Sequence, residues 1–292
     1  MEKLTRILVP VEFSPRCSGA AHYAEALATH FHSEIVLLHV VGPVAPLYGS
    51  AEALAYSSIG DLTADRKAQR QSLLDAFLAD ELDGIAVRRV LVEDDPAGAI
   101  VQYARDESCD LIVMPTHGYG PFRRFLLGSV TAKVLHDASC PVWTGPHMEQ
   151  APVRDAIHFR KVMCAVDFGH DTRPVLNWGA GFAREFGATL AVVHAIPLST
   201  VRLGPVFFDP EWRAHVAHTA RERIDFYLQD LRIQGEVSIE IGDVPAAVSE
   251  AAKRWSADLL VIGRGHAPGL MGRLRTNAYA ILRESPCPVA AI

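Results

Sequence analysis

Gly118, Gly128 and Ser129 are the residues whose types and spacing most directly offer chemistry in this 292-residue chain. They lie in DLIVMPTHGYGPFRRFLLGSVTAKVLHDASCPV, Asp110 to Val142, where the apolar run Leu111 to Met114 stops at Pro115 and Gly128-Ser129 opens a run of helical spacing. Glycines let backbone amides approach an oxyanion. A helix start adds unsatisfied N–H groups, a positive dipole end and here the Ser129 hydroxyl. Two readings follow: a phosphate site, or glycines that only turn the chain before a helix capped by Ser129. His117, inside the same loop, has a side chain that titrates near neutrality and is the one candidate acid or base there. The sequence contains no G-x-x-x-x-G-K-[ST], complete G-x-G-x-x-G, G-x-S-x-G or H-E-x-x-H, so no catalytic residue is assigned.

The elements that must position these residues occur twice. A shift of 155 residues superposes ILVPVEFS (Ile7 to Ser14) on VMCAVDFG (Val162 to Gly169) and VLLHVV on AVVHAI, so that His39 and His194 coincide. Near the end SCPV (Ser139 to Val142) meets PCPV (Pro286 to Val289). The expected units are residues 1–146 and 157–292, joined by a polar linker, 147–156.

Within the first unit, strands are predicted near 6–11, 34–41, 85–92, 111–114 and 141–143, and helices near 17–32, 62–81, 97–107 and 129–137. Alternation of this kind forces parallel strands with right-handed crossovers. The fold class is α/β: two tandem doubly wound, five-stranded parallel sheets. Ligands of such sheets bind beyond the carboxyl ends of the strands, which places Pro10, Val11 and Glu12 after strand one, Val40 and Val41 after strand two, and Met114 and Pro115 after strand four at one crevice. The segment 42–61 reads as a long, weakly periodic loop. Its Tyr48 and Tyr56 either close over a ligand or pack elsewhere.

The stretch resembles the nucleotide loop of the universal stress protein family. That loop reads Gly, two residues, Gly, nine residues, Gly, then Ser or Thr; here Gly118, the nine residues Tyr119 to Leu127, and Gly128-Ser129 match, as do the flanking DLIVM and SCPV. The resemblance implies the strand order 3-2-1-4-5, an adenine nucleotide alpha hydrolase-like fold, and ATP, accompanied or not by Mg, as cofactor of the first unit. The residues it implies around the ligand are Pro10, Val11, Glu12, Val40, Val41, Met114, Pro115, Gly118, Gly128, Ser129 and Val130. Two depart from the family pattern. Pro115 stands where the family has its first Gly and has no N–H to give. Glu12 stands where Asp is usual, and the alternative is that it serves only the next helix. In the second unit Asp167 and Gly263 keep their family positions, but His266 and Arg275-Thr276 stand where Gly and Gly-Ser should be. No nucleotide is expected there, although Arg264 and Arg273 leave open a contact to an anion.

The function implied is that of a tandem stress-response protein whose nucleotide occupancy alters conformation or partner binding. The alternative is an interaction module of the same fold without nucleotide; a slow nucleotide phosphatase is the reading least favoured. Both units carry Cys-Pro-Val before the last strand, and the family's habit of pairing that edge implies an intramolecular pseudo-dimer. Further association into a homo-oligomer is left open.

A formal net charge of −6 argues against nucleic acid and anionic membrane surfaces as partners. With 49% hydrophobic and 21% charged residues the chain is of globular class. MEKLTRILVPV is not patterned as a signal peptide, so the expected compartment is the cytoplasm. The five cysteines are scattered without C-x-x-C, which predicts buried thiols rather than disulfides or zinc. His215, His218, His30 and His32 lack companions for a metal shell and are expected to be solvated.

Overall fold

The computed structural model describes residues 3–42, 56–116, 127–146, 148, 156–197, 210–265 and 276–292. The first unit runs β1 (Arg6–Pro10), α1 (Pro15–Phe31), β2 (Glu34–Val41), α2 (Tyr56–Ala76), β3 (Val87–Glu93), α3 (Pro96–Asp106), β4 (Leu111–Val113), α4 (Ser129–Asp137) and β5 (Val142–Thr144). The second repeats it: β6 (Lys161–Ala165), α5 (Thr172–Phe186), β7 (Thr189–Pro197), α6 (Pro210–Asp230), β8 (Glu236–Gly242), α7 (Val244–Trp255), β9 (Leu259–Ile262), α8 (Thr276–Glu284) and β10 (Val289–Ala291).

Each unit has the order 3-2-1-4-5 with parallel neighbours, as expected, and the two five-stranded sheets join edge to edge. The order is β3-β2-β1-β4-β5-β10-β9-β6-β7-β8, ten strands in a single mixed sheet. Its one antiparallel pairing joins the units, with Val289 opposite Thr144, Ala290 opposite Trp143 and Ala291 opposite Val142. Two short apolar edges that would otherwise invite another chain satisfy each other. Trp143, fully buried, packs its ring against Tyr23 of α1, Phe182 of α5 and Phe159. His30 stacks on Phe186 at 4.0 Å between ring centroids, joining α1 to α5. The fifth strands therefore meet as the sequence reading expected.

Strand alternation divides the core between the two faces. Ile7, Val9, Ile35, Leu37, Leu111 and Trp143 belong to a layer shared with α1 and α5, while Leu8, Val36, Leu38, Ile112 and Val142 face α3, α4, α7 and α8. The acid that begins each DLIVM or DLLVI run sets the register of the central strands. Thr5 and Arg6 donate their main-chain N–H groups to Asp110 Oδ2 at 2.6 and 2.9 Å, and Arg160 and Lys161 do the same to Asp258 at 2.8 and 2.9 Å.

α2 begins at Tyr56, inside the stretch read as loop; residues 43–55, Tyr48 among them, lie outside the described residues. All five cysteines are buried and unpaired. Burial pushes the thiols of Cys109, Cys164 and Cys287 up to about 12 and that of Cys140 to about 11, so none of these four is a nucleophile near neutral pH. His215 and His218 are exposed on α6. Among the described residues no helix is long and apolar enough to cross a membrane.

Candidate functional site

Where β1 and β4 lie side by side, the chain leaves their carboxyl ends in opposite directions. A crevice results, with a cavity of about 380 Å³. Pro10, Val11 and Glu12 line it from the end of β1, Val40 from β2, Met114 and Pro115 from β4, and Gly128, Ser129 and Val130 from the start of α4. These are nine of the eleven residues expected for the first unit. Val41, the last residue of β2, does not line it and is buried in the core. Gly118, like His117, lies outside the described residues.

The start of α4 bears on the reading of Ser129 as a helix cap. Gly128, not Ser129, is the N-cap, and it makes no side-chain cap hydrogen bond. Its φ of −61° and ψ of 146° are open to any residue, so glycine is not required there for conformation. What it withholds is a side-chain acceptor, the usual partner of the first helical N–H groups. Gly128 spends its own N–H on Thr116 O at 2.8 Å, and the Thr131 hydroxyl donates to Pro115 O at 3.0 Å. The donors of the helix start are therefore the main-chain N–H groups after Gly128 and the exposed Ser129 hydroxyl. An anion-binding end is the chemistry that such a start offers.

Glu12 is half-buried and accepts from the Ser14 hydroxyl at 3.1 Å. It does not cap α1, whose N-cap is Ser14 and whose start has no side-chain cap hydrogen bond. After Glu12 the chain turns through Phe13 at φ 65°, a left-handed residue that lays its ring on His39 at 4.4 Å.

His39 is a lining residue missed from the sequence, as are Pro96 and Ile100 of α3. Its Nδ1–H donates to Val11 O at 2.7 Å, and burial lowers its pKa, so the ring is neutral with its lone pair on Nε2. The signal was present in the coincidence of His39 with His194. His194 makes the same bond to Val166 O at 2.7 Å, and burial lowers its pKa likewise.

The second unit repeats the crevice at about 270 Å³, with Asp167 and Gly263 both in its wall. Its local chemistry differs. Asp167 Oδ1 accepts from the N–H of Gly169 at 2.8 Å, and Asp171 Oδ2 accepts from that of Gly265 at 2.6 Å. Arg264, open in the sequence as an anion contact, instead turns across the junction. It is 5% exposed and donates to Ala138 O. Residues 266–275, with His266, Arg273 and Arg275, lie outside the described residues.

A repeated doubly wound α/β unit, with a crevice at the switch point of each copy, defines the class of protein. The profile described as the universal stress protein family matches residues 3–144 and again 158–292. The chain belongs to the universal stress protein family. Two universal stress proteins of Methanocaldococcus jannaschii are similar to it: one is 31% identical over 137 residues, covering 47% of this chain and 79% of the relative, and the other is 30% identical over 151 residues, covering 47% and 91%. A universal stress protein from Archaeoglobus fulgidus superposes with a TM-score of 0.68 over 100% of this chain and 98% of its own, at 21% identity, a likeness of fold.

Proposed function

We propose that this tandem universal stress protein binds an adenine nucleotide, ATP, in the crevice of its first unit, and that occupancy alters its conformation or its binding of a partner. The observation that carries the reading is the side-chain-free N-cap Gly128 at the mouth of a cavity of about 380 Å³. The α4 start faces the phosphates, apolar Val11, Val40 and Met114 face the base, and the Glu12 carboxylate accepts from ribose hydroxyls. Mg, where it accompanies the nucleotide, would be held by the phosphates, with the exposed Ser129 hydroxyl as the protein oxygen at the α4 start. The units run 1–146 and 157–292 with the linker between them, and buried unpaired thiols fit work in the reducing cytoplasm.

Titration calorimetry of the full chain with Mg-ATP tests this. One site per chain is expected, abolished by Gly128→Arg with the fold retained. Binding that survives Gly128→Arg overturns the assignment. A second reading, an interaction module without nucleotide, draws support from Pro115, which lines the crevice and offers no N–H.

A further inference from the structure

The second crevice keeps the form of the first and adds a carboxylate: among the described residues Asp167 and Asp171 line it, where Glu12 is the carboxylate lining the first. Under the 155-residue shift Asp171 falls where the first unit has Arg16, and Thr172 where it has Cys17. Asp171 is seated against the turn that leaves β9: its Oδ2 holds the Gly265 N–H at 2.6 Å, and a Cβ on Gly263 would come within 2.6 Å of Asp171 Cβ. The Asp171 side chain is only 16% exposed. A phosphate arriving there meets a fixed negative charge in a half-dry site and finds a main-chain donor already taken. Among the described residues, the ionisable side chains lining the cavity are Asp167, Asp171 and His194, and burial keeps His194 neutral.

An independent observation points to a ligand. Thr172 lines the same cavity and is 2% exposed, and its Oγ1 has no hydrogen-bond partner among the described residues. Buried hydroxyls are rarely left so, because the loss of hydration is uncompensated. Much of the remaining wall is apolar, with Val166, Val175, Val248, Ile262 and Ile281.

We propose that the second crevice is a site for an uncharged nucleoside, with its base against the apolar wall and its hydroxyls on Thr172 and the acids, and that Asp171 excludes the phosphorylated forms. The choice of a nucleoside rests on the adenine-nucleotide reading of the first crevice. The discrimination rests on Asp171 and Thr172 alone.

The experiment is calorimetry of the full chain with adenosine and with ATP. Adenosine is expected to fill a site that saturating ATP does not compete for. Thr172→Val should weaken that site up to about tenfold and leave ATP binding unchanged. Asn277→Ala, at an exposed lining residue, gives a second handle should the core variant misfold. Asp171→Asn keeps an acceptor for Gly265 while removing the charge, and should raise the ATP stoichiometry from one to two. Adenosine binding wholly competed by ATP, or ATP filling both crevices of the unaltered chain, overturns the proposal. Adenosine binding sensitive to Thr172→Val without any ATP binding leaves it standing and overturns the reading of the first crevice instead.

Discussion

Arg264 donates from Nη1 to the main-chain oxygen of Ala138 at 2.7 Å, a bond between residues 126 apart that ties the second unit to the C-terminal end of α4 in the first. A cation at that end also complements the helix dipole. The guanidinium is buried, burial lowers its pKa, and its Nε has no partner among the described residues. Arg264→Ala should cost about 2 to 3 kcal/mol, since it empties the site and strips the Ala138 oxygen of its donor. Arg264→Met, which fills the space without a charge to desolvate, should cost under about 1 kcal/mol. Urea unfolding of both variants decides the matter, and equal losses would show the hydrogen bond rather than the packing to be what counts.

Trp143 is the aromatic centre of the junction, and Trp143→Asp should lose more than about 4 kcal/mol by burying a carboxylate among rings. Small-angle scattering should then report separated units. Retention of the native envelope by that variant would mean that the β5–β10 pairing does not hold the units together. Trp143→Phe, which removes an indole N–H unpartnered among the described residues, should cost no more than about 2 kcal/mol.

Much of this architecture was legible because both copies carry the same pattern. The strand at 34–41 is where the β-branched run puts it, and Cys-Pro-Val marked the pairing edges. What escaped was set by contacts remote in sequence or by local geometry that periodicity does not encode. The start of α2 at Tyr56 was hidden in an Ala, Ser and Gly run without an apolar stripe. Ser129 read as a cap because serines usually cap; the backbone puts Gly128 there instead. Phe13 takes a left-handed turn that its side chain disfavours, and the Asp171–Gly265 contact links residues 94 apart, beyond the reach of any motif.

Stability should fall with acid through His39 and His194. Burial lowers both pKa values below the ordinary 6.5, so the unfolded chain binds protons that the folded chain refuses. Stability from these groups is therefore full above about pH 6.5 and declines as pH falls below it toward the folded values. Thermal unfolding between pH 5 and pH 8 checks the sign. His39→Gln and His194→Gln together should flatten the profile; a slope unaltered by both substitutions would assign the effect to other groups.

Pro115→Gly should tighten ATP binding by up to about tenfold, because it restores one main-chain donor at the crevice wall. Calorimetry reads this directly. An unchanged affinity would show that position 115 gives no contact to the phosphates or ribose.

The most direct test of the account is a crystal structure of the full chain grown with a non-hydrolysable ATP analogue. The account predicts one nucleotide per chain, its base between Val11 and Val40 and its phosphates at the N–H groups that follow Gly128 at the start of α4. A nucleotide seated in the second crevice beside Asp171, or a first crevice empty at saturating ligand, would contradict it.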